Sequence, residues 1–162
     1  ILMWLGFHDD LADPDASDPV LRESTRLAAL APIGGQSCIH MPTLFKWFEV
    51  ESLIEHSGGR PLFGIKHRDP VEWTGELDAL ARDASPITHL TRDDPPCYMV
   101  FGRNEPVTPT SPPGLWVHHP MMGIKLKEAM DRLGLECHVD YPGGPKIEGY
   151  ASQIDFLLKK LR

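Results

Sequence analysis

Five consecutive uncharged residues, Cys97-Tyr98-Met99-Val100-Phe101, constrain this chain more than any other stretch. Asp93-Asp94-Pro95-Pro96 stops whatever precedes them, and Gly102 ends them. A short apolar run bounded by breakers on both sides is the pattern of a strand buried on both faces, as in the middle of a parallel sheet. Glu105 stands three residues past Gly102, in the loop beyond the strand's carboxyl end, where open α/β sheets place their chemistry.

Two further stretches can pair with such a strand. Leu27-Ala28-Ala29-Leu30-Ala31-Pro32-Ile33 is continuously apolar and ends at Gly34-Gly35. It reads as a strand over residues 27–33, although periodicity alone also allows a buried helical turn. Pro32 has to lie near its end, because proline donates nothing to a ladder. Residues 136–141 read as the last strand, after which Pro142-Gly143-Gly144-Pro145 turns the chain. Helical patterns fill the intervals. Ile1 to His8 reads as the end of an apolar helix, and Asp18-Pro19 gives an N-cap and first position to a short helix. Pro42 to Ile54 carries a broad apolar face, Ser57-Gly58-Gly59-Arg60-Pro61 breaks it, and Pro70 punctuates the next stretch. Thr74 can cap a helix bearing Leu77, Leu80 and Ala81. Met122, Leu126, Ala129, Met130 and Leu133 make a helical stripe ended by Gly134. Ile154, Leu157, Leu158 and Leu161 make an amphipathic terminal helix closed by Lys159, Lys160 and Arg162. This alternation predicts the α/β class, a parallel sheet with right-handed crossovers.

Composition narrows the partners. The chain has 162 residues with 41% hydrophobic and 24% charged residues, which suits one globular domain with a core. Net charge is −7 and the basic residues form no stripe, so nucleic acid and anionic membrane surfaces are not expected partners. No apolar run approaches the roughly 18 residues of a membrane span. Cys38, Cys97 and Cys137 are odd in number and read as buried free thiols. No Cys-x-x-Cys or His-x-x-x-His spacing supports a metal site, and no glycine-rich loop supports a phosphate-bearing cofactor, so neither is expected. The opening Ile1-Leu2-Met3-Trp4-Leu5 is already in mid-element, which suggests a piece of a longer protein and leaves localisation unread.

The central stretch, with the Ala84-Ser85-Pro86-Ile87-Thr88-His89-Leu90 segment leading into it, resembles the acid-bearing strand of the α/β-hydrolase superfamily. Ile1 to Asp10 resembles the helix after the nucleophile elbow in its esterases, of the feruloyl or acetyl-xylan esterase and prolyl-oligopeptidase-like groups. The resemblance covers essentially the whole chain as the C-terminal half of an α/β-hydrolase fold. It implies a partial domain over residues 1–162, with strands at about 27–33, 97–101 and 136–141 flanked by helices. Residues 36–75 would be a cap-like or irregular insertion. The N-terminal half, with its Gly-x-Ser-x-Gly nucleophile elbow, would lie one to two turns before Ile1. The substrate would be a small-molecule carboxylic ester.

Family order along the chain is Ser, acid, His, in which the histidine takes the serine's proton and the acid orients the histidine. The resemblance assigns the acid to Glu105, where a solvated loop carboxylate is the bland alternative. The histidine is where this sequence departs. The loop after the last strand reads Tyr141-Pro142-Gly143-Gly144-Pro145-Lys146, with Lys146 at about the histidine's place. Lysine is a poor proton acceptor unless strongly desolvated. His118 and His119, in the loop after Glu105, are the substitutes within reach, against a bystander role. His89 precedes the strand and reads as a packing residue. Two functions are then open: a serine esterase whose nucleophile lies upstream, or a degenerate hydrolase module used for binding or scaffolding. In either case these 162 residues alone are expected to be inactive.

Overall fold

The structure is a computed structural model that describes residues 1–66 and 71–162; the expectation for Pro70 lies outside the described residues. Strand β1 (Cys97–Val100) pairs in parallel with β2 (Cys137–Asp140), Cys97 opposite Cys137 and Val100 opposite Asp140. On its other side, residues 30–34 run parallel to β1, with Leu30 opposite Cys97 and Ile33 opposite Val100. The charge-free run therefore lies between β2 and the bridged stretch 30–34.

The strand expected over 27–33 is reduced to two isolated parallel bridges, at Leu30 and Ile33, and Pro32 explains why. Leu30 donates to the Pro96 carbonyl at 2.9 Å, Tyr98 donates back to Leu30 at 2.8 Å, and Gly34 donates to Val100 at 2.8 Å. The intervening rung, from residue 32 to the Tyr98 carbonyl, has no N–H to make it. The Gln153 side-chain amide fills the gap, donating to the Tyr98 carbonyl at 2.8 Å and to the Pro32 carbonyl at 3.1 Å.

Helices cover both faces. Helix α1 (Leu2–Phe7) packs on the face of Leu30: a Cβ on Gly6 would lie 2.7 Å from the Leu30 side chain. Helix α2 is Met41–Phe48, shorter than the apolar pattern through Ile54 suggests. It stops because Glu49 turns left-handed (φ 56°) and Val50 bonds back to Phe45, which drops Leu53 into the core. Helix α3 (Gly59–Leu62) comes next, then α4 (Gly75–Asp83), whose N-cap Thr74 makes no side-chain cap bond. His40 ties α2 to α4, donating from Nε2 to Asp78 at 2.8 Å and accepting from the Thr43 hydroxyl at 2.7 Å. Burial pushes its pKa below the ordinary imidazole value.

After β1 come α5 (Pro113–Trp116) and α6 (Met121–Leu133), which buries Met122, Leu126 and Met130 completely. Gly123 lets α6 approach the sheet: a Cβ there would meet Phe101 and Val139 at 2.7 Å. Helix α7 (Gln153–Lys160) packs on the opposite face through Phe156, whose ring lies 5.6 Å from that of Tyr98. This corrects the expected stripe, since Ile154, Leu158 and Leu161 are exposed and the single aromatic makes the core contact. The three cysteines are buried and free. No helix among the described residues is long and apolar enough to cross a membrane.

Candidate functional site

The carboxyl end of β1 sets the position of Glu105. Phe101 fixes the exit from the sheet, its N–H donating to the Asp140 carbonyl at 2.8 Å and its ring buried against Gly123. The chain then becomes exposed from Gly102 to Pro106. The Asn104 amide reaches the Pro142 carbonyl at 3.3 Å, which ties this loop to the one after β2. The Glu105 carboxylate has no hydrogen-bond or ion-pair partner among the described residues, whereas its backbone carbonyl is held.

His119 holds it. Its Nε2–H donates to the Glu105 carbonyl at 3.1 Å, and its Nδ1 accepts the Met121 N–H at 3.1 Å, at the start of α6. The ring is 6% exposed and meets the edge of Phe48 at 5.2 Å. Burial pushes its pKa down, which keeps it neutral with the proton on Nε2. Both nitrogens are thus committed to backbone groups, leaving no lone pair for an incoming hydroxyl.

His118 is disposed differently. It is exposed, and its Nδ1 lies 2.7 Å from the Gly34 carbonyl. A carbonyl can only accept, so Nδ1 carries the proton, and Nε2 has no hydrogen-bond partner among the described residues. Gly34 makes room by adopting φ +58°, and a Cβ there would sit 3.2 Å from Nδ1. His118 therefore stands at the carboxyl end of the strand beside β1, where sequence spacing gave no hint of a carbonyl partner.

Lys146 is exposed and lines a groove of about 470 Å³ with Ile124, Lys127 and Tyr141, between α6 and the loop after β2. No ion pair joins it to Glu105. Among the described residues, no group of three or more His, Cys, Asp or Glu side chains is arranged to hold a metal ion. His89 packs against the rings of Trp4 and His8 at the other end of the sheet.

No family model matches the chain, and no curated protein matches it by sequence. Solved structures do match. One is an acetyl ester-xyloside bifunctional hydrolase from Caldicellulosiruptor lactoaceticus, 16% identical with a TM-score of 0.54, over 97% of this chain and 47% of that one. A truncated carbohydrate esterase from gut microbiota is 17% identical with a TM-score of 0.58, over 98% of this chain and 54% of that one. A bifunctional GH43-CE protein of Bacteroides eggerthii is 15% identical with a TM-score of 0.53, over 98% of this chain and 21% of that one. The chain spans about half the length of the first two and about a fifth of the third. Nearly the whole of this chain thus shares an esterase-like fold with proteins named for carbohydrate-ester chemistry.

Proposed function

We propose that this chain is the acid-bearing C-terminal half of an α/β-hydrolase that cleaves a small-molecule carboxylic ester. One observation carries the reading. The Glu105 carboxylate is unpartnered and exposed at the carboxyl end of the central parallel strand, in a fold shared with carbohydrate esterases. That is where the fold class puts reactive groups. The nucleophilic serine and its oxyanion-hole amides belong to an N-terminal half that packs on the open edge of residues 30–34. Residues 36–75 act as the cap-like insertion. Of the two neighbouring histidines, His118 is the one whose Nε2 has no hydrogen-bond partner among the described residues and is suited to accept a proton. For Glu105 to orient it, its Nδ1–H must pass from the Gly34 carbonyl to the Glu105 carboxylate, while His119 positions the Glu105 loop.

Lys146 favours a second reading, a degenerate module retained for binding. It stands where the resemblance calls for histidine, and it lines a groove against α6. Labelling the protein together with its upstream segment by a fluorophosphonate separates the two. A labelled serine, with turnover lowered by orders of magnitude in Glu105→Gln, is the expected result. Folded protein that resists labelling overturns the esterase reading, and unchanged turnover in Glu105→Gln removes Glu105 from the triad.

A further inference from the structure

A cavity of about 600 Å³ lies beside the carboxyl end of the sheet, bounded by Phe45, Phe63, Trp73, Trp116, Leu53 and Val117. Its size falls within the usual range of small-molecule sites, about 300–1,000 Å³. It borders the candidate site through the chain itself. Val117 immediately precedes His118, and Gln36 on its wall lies two residues beyond Gly34, whose carbonyl holds His118. Helix α2 supplies Phe45 to the cavity and Phe48 to His119.

We infer that this cavity binds a flat apolar ring system of one or two fused rings, carried by the ester substrate; the link to an ester rests on the function proposed above. Three features argue for a ring. The Phe63 and Trp73 rings stand at 90° with centroids 5.8 Å apart, so a flat group stacked on one is met by the other edge-on or face-on. Trp116 is held rigid by its indole N–H bond to the Ile54 carbonyl at 3.1 Å. Most of the polar side chains on the wall are already engaged or face solvent. Glu55 binds Arg60 at 2.6 Å, and the His56 Nδ1 accepts the Gly58 N–H at 3.1 Å. Glu51 and Ser52 are exposed at the rim, which leaves Gln36 as the main polar side chain inside among the described residues. A sugar ring needs a partner for each of several hydroxyls and finds too few among the described residues. An acetyl group is too small: at ~30 Å³ per water the cavity holds on the order of twenty waters, and a methyl displaces few of them.

The test uses this chain and needs no turnover. Tryptophan fluorescence is followed during titration with 2-naphthol, methyl β-D-xylopyranoside and sodium acetate. Saturable binding of 2-naphthol alone is expected. It should weaken about tenfold in Trp73→Ala and again in Leu62→Glu, which sets a charge at the mouth from a residue already 60% exposed. Circular dichroism confirms that each variant is folded. Xyloside binding as strong as that of 2-naphthol overturns the inference. So does an absence of 2-naphthol binding in folded protein, or 2-naphthol binding that neither variant weakens. Because the readout is binding, a failed fluorophosphonate labelling with intact 2-naphthol binding removes the esterase and leaves the ring site standing.

Discussion

His119 shows how a single side chain can be misjudged from its neighbours in sequence. Beside His118 and fourteen residues after Glu105, it reads as a possible base. In the structure it is a buried neutral clamp between the Glu105 loop and α6. Removing the ring strands the Glu105 carbonyl and the Met121 N–H, so His119→Ala should cost about 1–3 kcal/mol of stability. The pH dependence identifies the mechanism. Burial lowers the folded-state pKa, so the unfolded chain takes up the proton first as pH falls. The ring's contribution is therefore complete above the ordinary imidazole value of about 6.5 and is lost as pH falls through the folded value. Urea midpoints of wild type and His119→Ala should differ most at neutral pH and converge in mild acid. A gap that stays constant with pH contradicts the neutral clamp.

At the scale of elements, α7 is fastened to the sheet at both ends. Gln153 at its start fills the rung that Pro32 leaves empty, and Lys160 at its end bonds Glu136, which also accepts from Tyr150 at 2.6 Å and His138 at 2.9 Å. Burial works against ionising Glu136, yet the bonds from Lys160, Tyr150 and His138 outweigh it and hold the carboxyl at about 2. Gln153→Ala should leave the Tyr98 carbonyl unsatisfied and cost about 1–3 kcal/mol. Gln153→Glu should cost more, since a carboxylate then faces two carbonyls. Faster hydrogen exchange at Gly34 and Tyr98, with α6 amides unchanged, is the expected signature; uniform acceleration points to global loosening instead. These elements also mark the limits of legibility. The run at 97–101 is plain in the sequence because a buried strand needs no partner to be apolar, and 136–141 because buried Cys137 and Val139 alternate with His138 and Asp140. The rung from Gln153 joins residues 55 and 121 positions apart in sequence, and no local pattern carries such a bond. Periodicity locates α7 but misassigns its inner face, because an apolar stripe records that a face is apolar and not what covers it. The exposed position of Glu105 past β1 is legible from strand, glycine and loop; the backbone partners of His118 and His119 are not.

The whole molecule carries an open side. Residues 29–33 form a sheet edge on which the amides of Ala29, Ala31 and Ile33 have no backbone partner among the described residues. The register puts Ile33 on the face of Val100 and Tyr98, the face that α7 covers. Ile33 is 78% exposed there, and on α7 Ile154 and Leu158 are 69% and 55% exposed. Scattered apolar residues need no explanation, but an apolar strip beside an unpaired strand edge is a template for pairing. In the proposed hydrolase the N-terminal half covers it. Without that cover, copies of this chain should associate edge to edge, and sedimentation should show mass rising with protein concentration. A single charge on the edge opposes such pairing, as edge lysines do in natural sheets. Ile33→Lys should therefore hold the chain monomeric over the range where wild type associates, at little cost in stability because the side chain is already in solvent. Leu158→Lys tests the helix strip separately. If both variants associate as wild type does, the open side is not the contact, and the proposed N-terminal half has no seat there.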